Sequence, residues 1–457
     1  MKKNITIFIF LFTNFFCFAE SSAQFEQLAQ YIEMPTELDQ EFHQPIVDGK
    51  FEYNVYGYVK HAAWVDSYQV AGFVQNYYIF FPREYFGDAC GRNIRQKGQS
   101  NMLDIESRIR AEIAGPKIGR ADTYAILEAD FRGGDLEDYI NIFRMLHGHM
   151  YFNWGDQSLL IGQYWHPIFT ADAGCYAPTI SYSYGLPFDP YTLEPQIRYT
   201  RQLDNITWSV TAASHSTRFY DGPIGLSTIY ARNAVMPNFN FRAFAIIGKH
   251  RIGFSADANR LVPRLVTDKD ICVTESLMSY LGLLFCVFDW DSVILRSKVI
   301  FAQNGNGYLM LGGYGVHCVN PYTDERSYSN INSISAWSDV TVRSFPSVEP
   351  GLFIGYTKNL GASSAIVQNI DDQNVACCGV PAESSEGETG LYSFGTERLD
   401  YIFRIAPRIR WYKRPFSIGA ELEYTRAAFG DIGSHGQILN PRAVGNTRLM
   451  MAGYYYF

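Results

Sequence analysis

Arginine recurs on one face of residues 397–412, which read ERLDYIFRIAPRIRWY. Arg404, Arg408 and Arg410 occupy even positions, whereas large apolar residues such as Phe403 and Ile405 occupy odd ones. A guanidinium group can hold a carboxylate through two parallel hydrogen bonds, so a surface carrying these side chains could recognise anions. The spacing of two also predicts a strand, because successive strand side chains point to opposite faces.

Other residue groupings with chemical potential are weaker. His147 and His149 would share one face of a strand and could supply two metal ligands, but a third ligand is not evident, so we predict no metal site. We recognise no nucleophile with a placed histidine and acid, and no glycine-rich phosphate loop. The sequence therefore predicts neither an enzyme nor a cofactor, and the net charge of −8 does not favour nucleic acid as a partner.

The alternation of polar and apolar residues extends along most of the chain. In LDIESRIRAEIA, from residue 103, Leu103, Ile105 and Ile109 share an apolar face, whereas Asp104 and Glu106 share the polar face. Such segments recur sixteen times, and short connections such as GPKIG alternate with long ones. We predict an all-β fold, a sixteen-stranded antiparallel transmembrane β-barrel with short periplasmic turns and long extracellular loops. The predicted strands are 55–66, 103–114, 120–131, 141–152, 157–165, 195–203, 206–216, 238–247, 251–258, 277–288, 293–303, 330–344, 351–360, 397–411, 416–426 and 446–457.

Composition and the two ends of the chain agree with this fold. Aromatic residues make up 16% of the chain and charged residues only 18%, and no later apolar stretch is long enough for a spanning helix. We interpret residues 1–23 as a signal peptide, 24–52 as a short periplasmic segment and 53–457 as the barrel. The expected location is the outer membrane of a Gram-negative bacterium.

The final residues, LMMAGYYYF, fit a last strand that ends at the periplasmic interface. Odd positions from 449 to 457 would face lipid, and Arg448, Met450 and Ala452 would face inward. Aromatic residues gather at such interfaces. Tyr455 and Phe457 also resemble the C-terminal signal that the barrel-assembly machinery reads.

Charged side chains on the strands should mark the water-filled side, because an Arg or Lys facing the bilayer midplane costs about 2–4 kcal/mol. We expect an inward excess of cations that raises the local concentration of anions. The alternative is that the same cations pair with acids across strands and only stiffen the wall. The predicted pore-lining cations are Lys60, Arg108, Arg110, Arg144, Arg198, Arg242, Arg296, Lys298, Arg404, Arg408 and Arg410.

A barrel of this size needs an inserted loop to narrow its bore. The best candidate is the third long connection, residues 166–195, which is rich in aromatic residues and proline and poor in charge. If it folds inward, Asp172, Tyr176, Tyr182 and Tyr184 could reach a solute.

Seven cysteines remain after removal of the signal peptide. Only Cys286 falls in a predicted strand, as a buried or lipid-facing residue. The other six fall in predicted outer loops and could form disulfides in an oxidising compartment, with pairing that the sequence leaves open. These six are Cys90, Cys175, Cys272, Cys318, Cys377 and Cys378.

Several blocks of the sequence resemble, in order, those of DcaP-type outer-membrane porins. They are VYGYVKHAAWVDSYQV, LDIESRIRAEIAGPKIG, AILEADFRG, NIFRMLHGHMYFNW, LIGQYWHPIF, PFDPYTLEPQIR, LMLGGYGV and GYTKNLGA. The resemblance implies a sixteen-stranded, usually trimeric porin that passes small anionic solutes such as dicarboxylates, guided by positive lumen residues. Arg108, Arg144 and Arg198 lie in the matching blocks, whereas Leu146 stands where relatives often carry another arginine.

The sequence thus predicts a passive diffusion porin with a bias toward small anions, present as a homotrimer among outer-membrane lipids. The alternative is a non-conducting surface barrel whose disulfide-tied loops serve adhesion or protection. The porin requires an open bore, whereas the surface barrel would have a plugged one.

Overall fold

The computed structural model describes residues 51–133, 141–181, 184–214, 227–367, 376–379 and 398–457, together with 218, 220, 222, 223 and 225. The predicted signal peptide and the predicted periplasmic segment up to residue 50 lie outside the described residues. Tyr182 of the third long connection also lies outside them.

Strands dominate the described part of the chain. We number them β1 to β21 in chain order. They are β1 (Glu52–Asp66), β2 (Val70–Phe73), β3 (Tyr78–Pro82), β4 (Gln99–Leu103), β5 (Arg108–Ile118), β6 (Ala121–Asp130), β7 (Arg144–Asn153), β8 (Gln157–Trp165), β9 (Leu193–Leu203), β10 (Ile206–Ala213), β11 (Asn238–Ile247), β12 (His250–Leu261), β13 (Leu277–Asp289), β14 (Val293–Gln303), β15 (Gly312–Val319), β16 (Arg326–Val342), β17 (Val348–Ala362), β18 (Ala376–Gly379), β19 (Leu399–Lys413), β20 (Phe416–Ile432) and β21 (Ile438–Tyr456).

Sixteen of these strands form a closed antiparallel barrel, which confirms the predicted fold. Going round the wall, β1 is followed by β5 to β14 and then by β16, β17, β19, β20 and β21. The wall closes where β21 pairs with β1, from Tyr58 opposite Tyr456 to Asp66 opposite Arg448. Closure removes the exposed sheet edges that could not exist in lipid.

The two faces of the wall follow the predicted alternation. Apolar side chains such as Leu127, Phe241 and Leu284 are exposed on the outside, where the membrane covers them. In β21, Leu449 and Tyr455 are exposed outward, whereas Arg448, Met450 and Ala452 are buried on the inside.

On the extracellular side, more residues form strands than the sequence predicts. β20 ends at Ile432 and β21 begins at Ile438, so most of the long loop expected between residues 426 and 446 is sheet. β2, β3, β15 and β18 are additional strands in long connections, and β15 extends the sheet beside β16. Above the membrane no lipid imposes apolar side chains on the outer face, so the alternation that identifies spanning strands fades there.

Several irregularities interrupt the ladders of the wall, and two of them change the orientation of residues discussed above. β1 pairs with β4 up to Leu103 and then with β5 from Arg108, so the intervening residues leave the ladder. Leu103 and Ile105 are buried inside, and Asp104 is exposed outside, which reverses the predicted orientation of these three residues. The register between β6 and β7 shifts beside Leu146, which has no partner on β6. This extra residue in β7 lets both Arg144 and His147 point inward.

Helical structure in the described residues is short. One four-residue α-helix spans Ile229–Arg232, and 3₁₀ turns span Pro167–Phe169, Ala171–Ala173 and Gly305–Tyr308. Among the described residues, no helix has both the length and the apolar character needed to cross a membrane.

Candidate functional site

The connection between β8 and β9 folds into the barrel. We call residues 166–192 the inner loop. Phe169, Ile180 and Phe188 have no exposed surface, and they belong to a buried cluster shared with wall residues such as Trp337 and Phe353. A segment with many aromatic side chains and few charges gains more by burying that surface in the bore than by lying in water.

The inner loop begins with a compact turn. The ring of His166 accepts a hydrogen bond from the N–H of Ile168 and lies 2.8 Å from the amide oxygen of Asn238 on β11. Thr170 has a left-handed backbone, with φ of 51°, and its hydroxyl donates to the carbonyl of Cys175 at 2.7 Å. These contacts reverse the chain and direct Asp172 toward the wall.

Two arginines of the wall bind the carboxylate of Asp172. Arg198 on β9 donates to it at 2.8 Å, and Arg242 on β11 donates through both terminal nitrogens, one of them at 2.6 Å. Burial raises the pKa of Asp172, but the two guanidinium groups outweigh this and lower it to about 2. Asp172 is therefore ionised at neutral pH, and the site is a two-arginine clamp around one carboxylate.

A second anchor joins Asp189 to Lys298 on β14. The ammonium group lies 2.7 and 2.9 Å from the two carboxylate oxygens and also donates to the carbonyl of Phe169 at 2.7 Å. Both side chains are fully buried. Burial raises the pKa of Asp189 to about 7, with Lys298 opposing the rise.

The opposite wall holds the middle of the inner loop mainly through its backbone. Arg410 on β19 donates to the carbonyls of Pro178 and Thr179 at 2.8 and 3.0 Å. Glu421 on β20 accepts from the N–H groups of Ile180 and Ser181 at 3.0 and 3.3 Å. Because these contacts lie across the barrel from the clamp on β9 and β11, the inner loop crosses the bore.

Two glycines of the wall make room for side chains of the inner loop. A Cβ atom at Gly419 would lie 2.3 Å from the Cδ1 of Ile180, and one at Gly355 would lie 2.6 Å from the ring of Phe188. Both distances are far below van der Waals contact, so at these points the loop packs directly against the backbone of the wall.

All eleven predicted cations lie on the inner side of the wall, and acids engage most of them. Glu128 accepts from Arg108 at 3.1 Å and from Arg110 at 3.0 Å, and Arg144 donates to Asp130 at 2.7 Å. The other ion pairs of these cations among the described residues are Lys60–Glu106, Arg108–Glu106, Arg110–Glu112, Arg198–Asp172, Arg242–Asp172, Lys298–Asp189, Arg404–Glu423 and Arg408–Asp339. Cross-strand pairing, the alternative raised from the sequence, thus accounts for many of these side chains.

Arg296 and Arg410 bind the inner loop through its carbonyl groups. Arg296 donates to the carbonyl of Gly174 at 3.1 Å. Within the described residues, no carboxylate lies at ion-pairing distance from Arg410, which is only partly buried. Its ladder partner on β17 is Glu349, so an acid stands on the neighbouring strand.

The remaining residues predicted for the constriction lie along the inner loop. Tyr176 is buried, and Arg296 lies 5.6 Å from the centre of its ring. The hydroxyl of Tyr184 accepts from Arg108 at 3.0 Å.

His147 lies 3.0 Å from Glu128, and both His147 and His149 pack against the ring of Tyr164. In the part of the chain that is described, no cluster of three or more His, Cys, Asp or Glu residues is arranged to hold a metal ion.

A second inserted segment was not predicted from the sequence. The 3₁₀ turn Gly305–Tyr308 brings Tyr308 into the upper bore, where its carbonyl accepts from the N–H of Tyr191 at 3.0 Å. Arg218 and Asn238 donate to its hydroxyl at 2.8 and 3.1 Å. The signal was the Asn- and Gly-rich stretch NGNGY, in which Asn304 adopts a left-handed backbone with φ of 52°.

The cysteines depart from the disulfide prediction. Cys90, Cys175, Cys272, Cys286 and Cys318 are free thiols in the described structure. The prediction of an outer-loop position was wrong for Cys175, which is buried in the inner loop and lies 3.6 Å from the carbonyl oxygens of Cys286 and Ser297. The side chains of Cys377 and Cys378 lie outside the described residues.

The fold is similar to that of solved outer-membrane proteins. The outer membrane channel DcaP of Acinetobacter baumannii matches with a TM-score of 0.60 and 13% sequence identity, over 91% of this chain and 99% of that chain. In-vitro folded OmpT, an outer membrane protein of Vibrio cholerae, matches with a TM-score of 0.51 and 10% identity, over 91% and 100%. A trimer form of that OmpT gives 0.50 and 10%, over 89% and 99%.

The structural similarity at such low sequence identity shows a shared fold, so the resemblance to DcaP-type porins is confirmed at that level. No protein-family model matches the chain, and no curated protein matches it in sequence. The closed barrel with its outward apolar band places the protein in the outer membrane of a Gram-negative bacterium.

Proposed function

We propose that this protein is an outer-membrane porin, a passive diffusion channel for small hydrophilic solutes with a bias toward anions such as dicarboxylates. The observation that carries the proposal is the binding of the Asp172 carboxylate by Arg198 and Arg242. The wall of the bore already binds one carboxylate with the charge-assisted geometry that a dissolved carboxylate would need.

The position of this clamp supports a role in passage. The side chain of Asp172 is 22% exposed, so water reaches one side of the clamp. Arg410 adds a guanidinium on the opposite wall, where it also holds two carbonyl groups of the inner loop. Between low-dielectric walls, fixed cations raise the local concentration of anions and favour their entry.

The assembly proposed with this function is a homotrimer in outer-membrane lipid. The trimer form of the similar OmpT supports it. We also propose that residues 1–23 are removed as a signal peptide, that 24–52 stay in the periplasm, and that the barrel-assembly machinery reads Tyr455 and Phe457. The transport function requires no cofactor and no catalytic residue.

One structural observation favours the second candidate, a non-conducting surface barrel. The inner loop reaches both sides of the bore, and most wall cations at its level are buried against it or against acids. A bore blocked in this way would make the extracellular loops the functional part. No disulfide ties the described part of those loops together.

Planar-bilayer recording across a KCl gradient separates the two candidates. A steady conductance with a reversal potential on the anion side supports the porin and its bias, and cation selectivity would retain the porin but remove the bias. If the folded wild type is silent and a variant with residues 171–189 replaced by a short Gly-Ser linker conducts, the inner loop is a permanent plug and the surface-barrel function is correct.

A further inference from the structure

A groove lies on the outer face of the barrel, at the periplasmic end of β8 and β9. Its lining residues are Trp154, Gln157, Leu159 and Tyr199, and its volume is about 260 Å³. Leu159 and Tyr199 stand opposite each other across the ladder between the two strands, and Gln157 is the first residue of β8. Trp154 belongs to the short turn that joins β7 to β8, so this turn forms the periplasmic end of the groove.

The side chains around the groove show that it lies at the edge of the lipid band. Met150 and Ile197 are exposed apolar residues in one row of the outer wall. Two residues nearer the periplasm, the next row carries Phe152 and Tyr199, and Arg201 follows after two more. Aromatic side chains gather where hydrocarbon gives way to headgroups, so the groove is within reach of both parts of a lipid.

An ion pair stands beside the polar end of the groove. Arg201 is the ladder partner of Gln157, and its guanidinium lies 3.1 Å from the carboxylate of Asp156 in the turn. The two side chains are 36% and 53% exposed. A pair this open to water stabilises a fold by at most about 1 kcal/mol, so both charges can turn toward a ligand at little structural cost.

We propose that the groove binds one phospholipid of the periplasmic leaflet whose headgroup carries an amine, such as phosphatidylethanolamine. The guanidinium of Arg201 suits the lipid phosphate, and the carboxylate of Asp156 can accept hydrogen bonds from the ammonium group. The rings of Trp154 and Tyr199 pack against the glycerol region, and an acyl chain continues over Leu159 along the apolar wall.

The two opposite charges determine which headgroup fits. A phospholipid with a phosphate but no amine can bind Arg201, yet its net negative charge is repelled by Asp156. A zwitterionic headgroup satisfies both side chains at once. The site depends neither on conduction nor on assembly, because it lies on the outer face of a single barrel.

Two other places on the periplasmic side provide matched controls. Lys117 pairs with Asp122 at 2.9 Å in another turn and has a similar exposure. Trp290, in the turn after β13, stacks on Phe288 as Trp154 stacks on Phe152. Neither Lys117 nor Trp290 lines the groove, so each control carries only one part of the proposed site.

The experiment titrates full-length protein in detergent with phosphatidylethanolamine or phosphatidylglycerol of identical acyl chains and counts bound lipids by native mass spectrometry. The wild type should bind one phosphatidylethanolamine in preference to phosphatidylglycerol. Arg201→Gln should lower the affinity for phosphatidylethanolamine about tenfold, because one hydrogen bond to a charged group is lost, and Trp154→Ala should also weaken binding. Lys117→Gln and Trp290→Ala should match the wild type, and heat-dependent gel mobility verifies that every variant is folded.

Photo-crosslinking in vesicles that contain equal amounts of both lipids tests the position of the lipid. A benzophenone amino acid at position 154 should form adducts mainly with phosphatidylethanolamine, and one at position 290 should form adducts with both lipids equally. Equal binding of the two lipids by the wild type, an unchanged affinity in Arg201→Gln, equal losses in the controls, or chain-to-chain products at position 154 would each overturn the proposal.

Discussion

The carboxylate of Asp172, in the inner loop, accepts hydrogen bonds from both terminal nitrogens of Arg242 on the barrel wall. Arg198 binds the same carboxylate from the side. One loop acid thus compensates two wall cations, so this side chain contributes both to the position of the loop and to the charge of the bore.

Replacing this acid should change both properties. In Asp172→Asn the clamp loses its negative charge, so the two guanidinium groups repel each other and hold the loop less tightly. If the protein is an anion-biased porin, conductance should rise and the reversal potential in a KCl gradient should move further toward the anion side.

The matched control is Asp156→Asn. Asp156 pairs with Arg201 at 3.1 Å near the periplasmic end of the wall, and its side chain is 53% exposed. The same chemical change there should leave both quantities within error of the wild type. An Asp172→Asn channel that becomes less anion-selective would contradict the role assigned to the clamp.

A buried ion pair ties the first strand to the last. Arg448 donates to both oxygens of Asp66 at 2.9 and 2.7 Å, and neither side chain is exposed. Asp66→Asn should lower the free energy of unfolding by about 3 kcal/mol, because one partner of a buried pair is lost while the carbonyls of Asn76 and Tyr77 still accept from Arg448. Urea titration in lipid vesicles, followed by tryptophan fluorescence, measures the change.

An exposed pair of the same type serves as the comparison. Lys117 and Asp122 lie 2.9 Å apart at a turn, with side chains 46% and 37% exposed. Asp122→Asn should cost less than about 1 kcal/mol, since water already solvates both charges. Equal losses in the two variants would show that the closing pair has no special stabilising role.

The extracellular connections on either side of the β13–β14 hairpin should separate at low pH. Arg264 binds Glu275 at 2.9 Å and Asp324 at 2.7 Å. Burial raises the pKa of Glu275, but hydrogen bonds from Arg264, Arg326 and Tyr328 outweigh it and lower the pKa. The pKa of Asp324 is likewise raised by burial but lowered overall, mainly by Arg264.

Because both pKa values are depressed in the folded state, these contacts stabilise the junction above the unfolded values of about 4. The stabilisation is lost as the pH falls through the folded values. Hydrogen exchange, corrected for intrinsic rates, should show peptides from residues 262–276 protected at pH 6, with protection that declines as the pH is lowered stepwise below about 4. Glu275→Gln should lose protection already at pH 6, and equal protection at all these pH values in the wild type would refute the prediction.

Thiol labelling tests the position of the inner loop. Cys175 is buried, and burial raises its pKa to about 12, so almost no thiolate forms at pH 7.5. After reduction, maleimide should modify the exposed Cys90 and Cys272 within minutes and leave Cys175 unmodified, as read by peptide mass spectrometry. Labelling of Cys175 at the rate of Cys90 would mean that the inner loop spends much of its time outside the bore.

The sequence predicted the barrel well because lipid imposes one rule on every spanning strand. Apolar residues must face outward, and this makes the period of two visible even in short segments. The rule fails where lipid is absent, as in the extracellular extension of β20 to Ile432. It also fails at Asp104, where the chain leaves the ladder and the inner and outer faces exchange.

The charge balance of the bore was less predictable. Arg108 and Arg110 were recognisable as inward cations, but their shared partner Glu128 follows from the register that sets Arg110 opposite Glu128. Sequence alone does not give that register. The extra residue Leu146 is equally hidden, because a bulge has no composition that separates it from regular strand.

Gly355 and Gly419 give the bore a property that charge does not determine. Each lets a side chain of the inner loop rest on bare backbone, where one added methyl group would occupy the space that Phe188 or Ile180 now fills. An added side chain at either position would therefore displace the inner loop from the wall and change the space left in the bore. A single nucleotide change at either codon would thus reshape the bore without altering any charged residue.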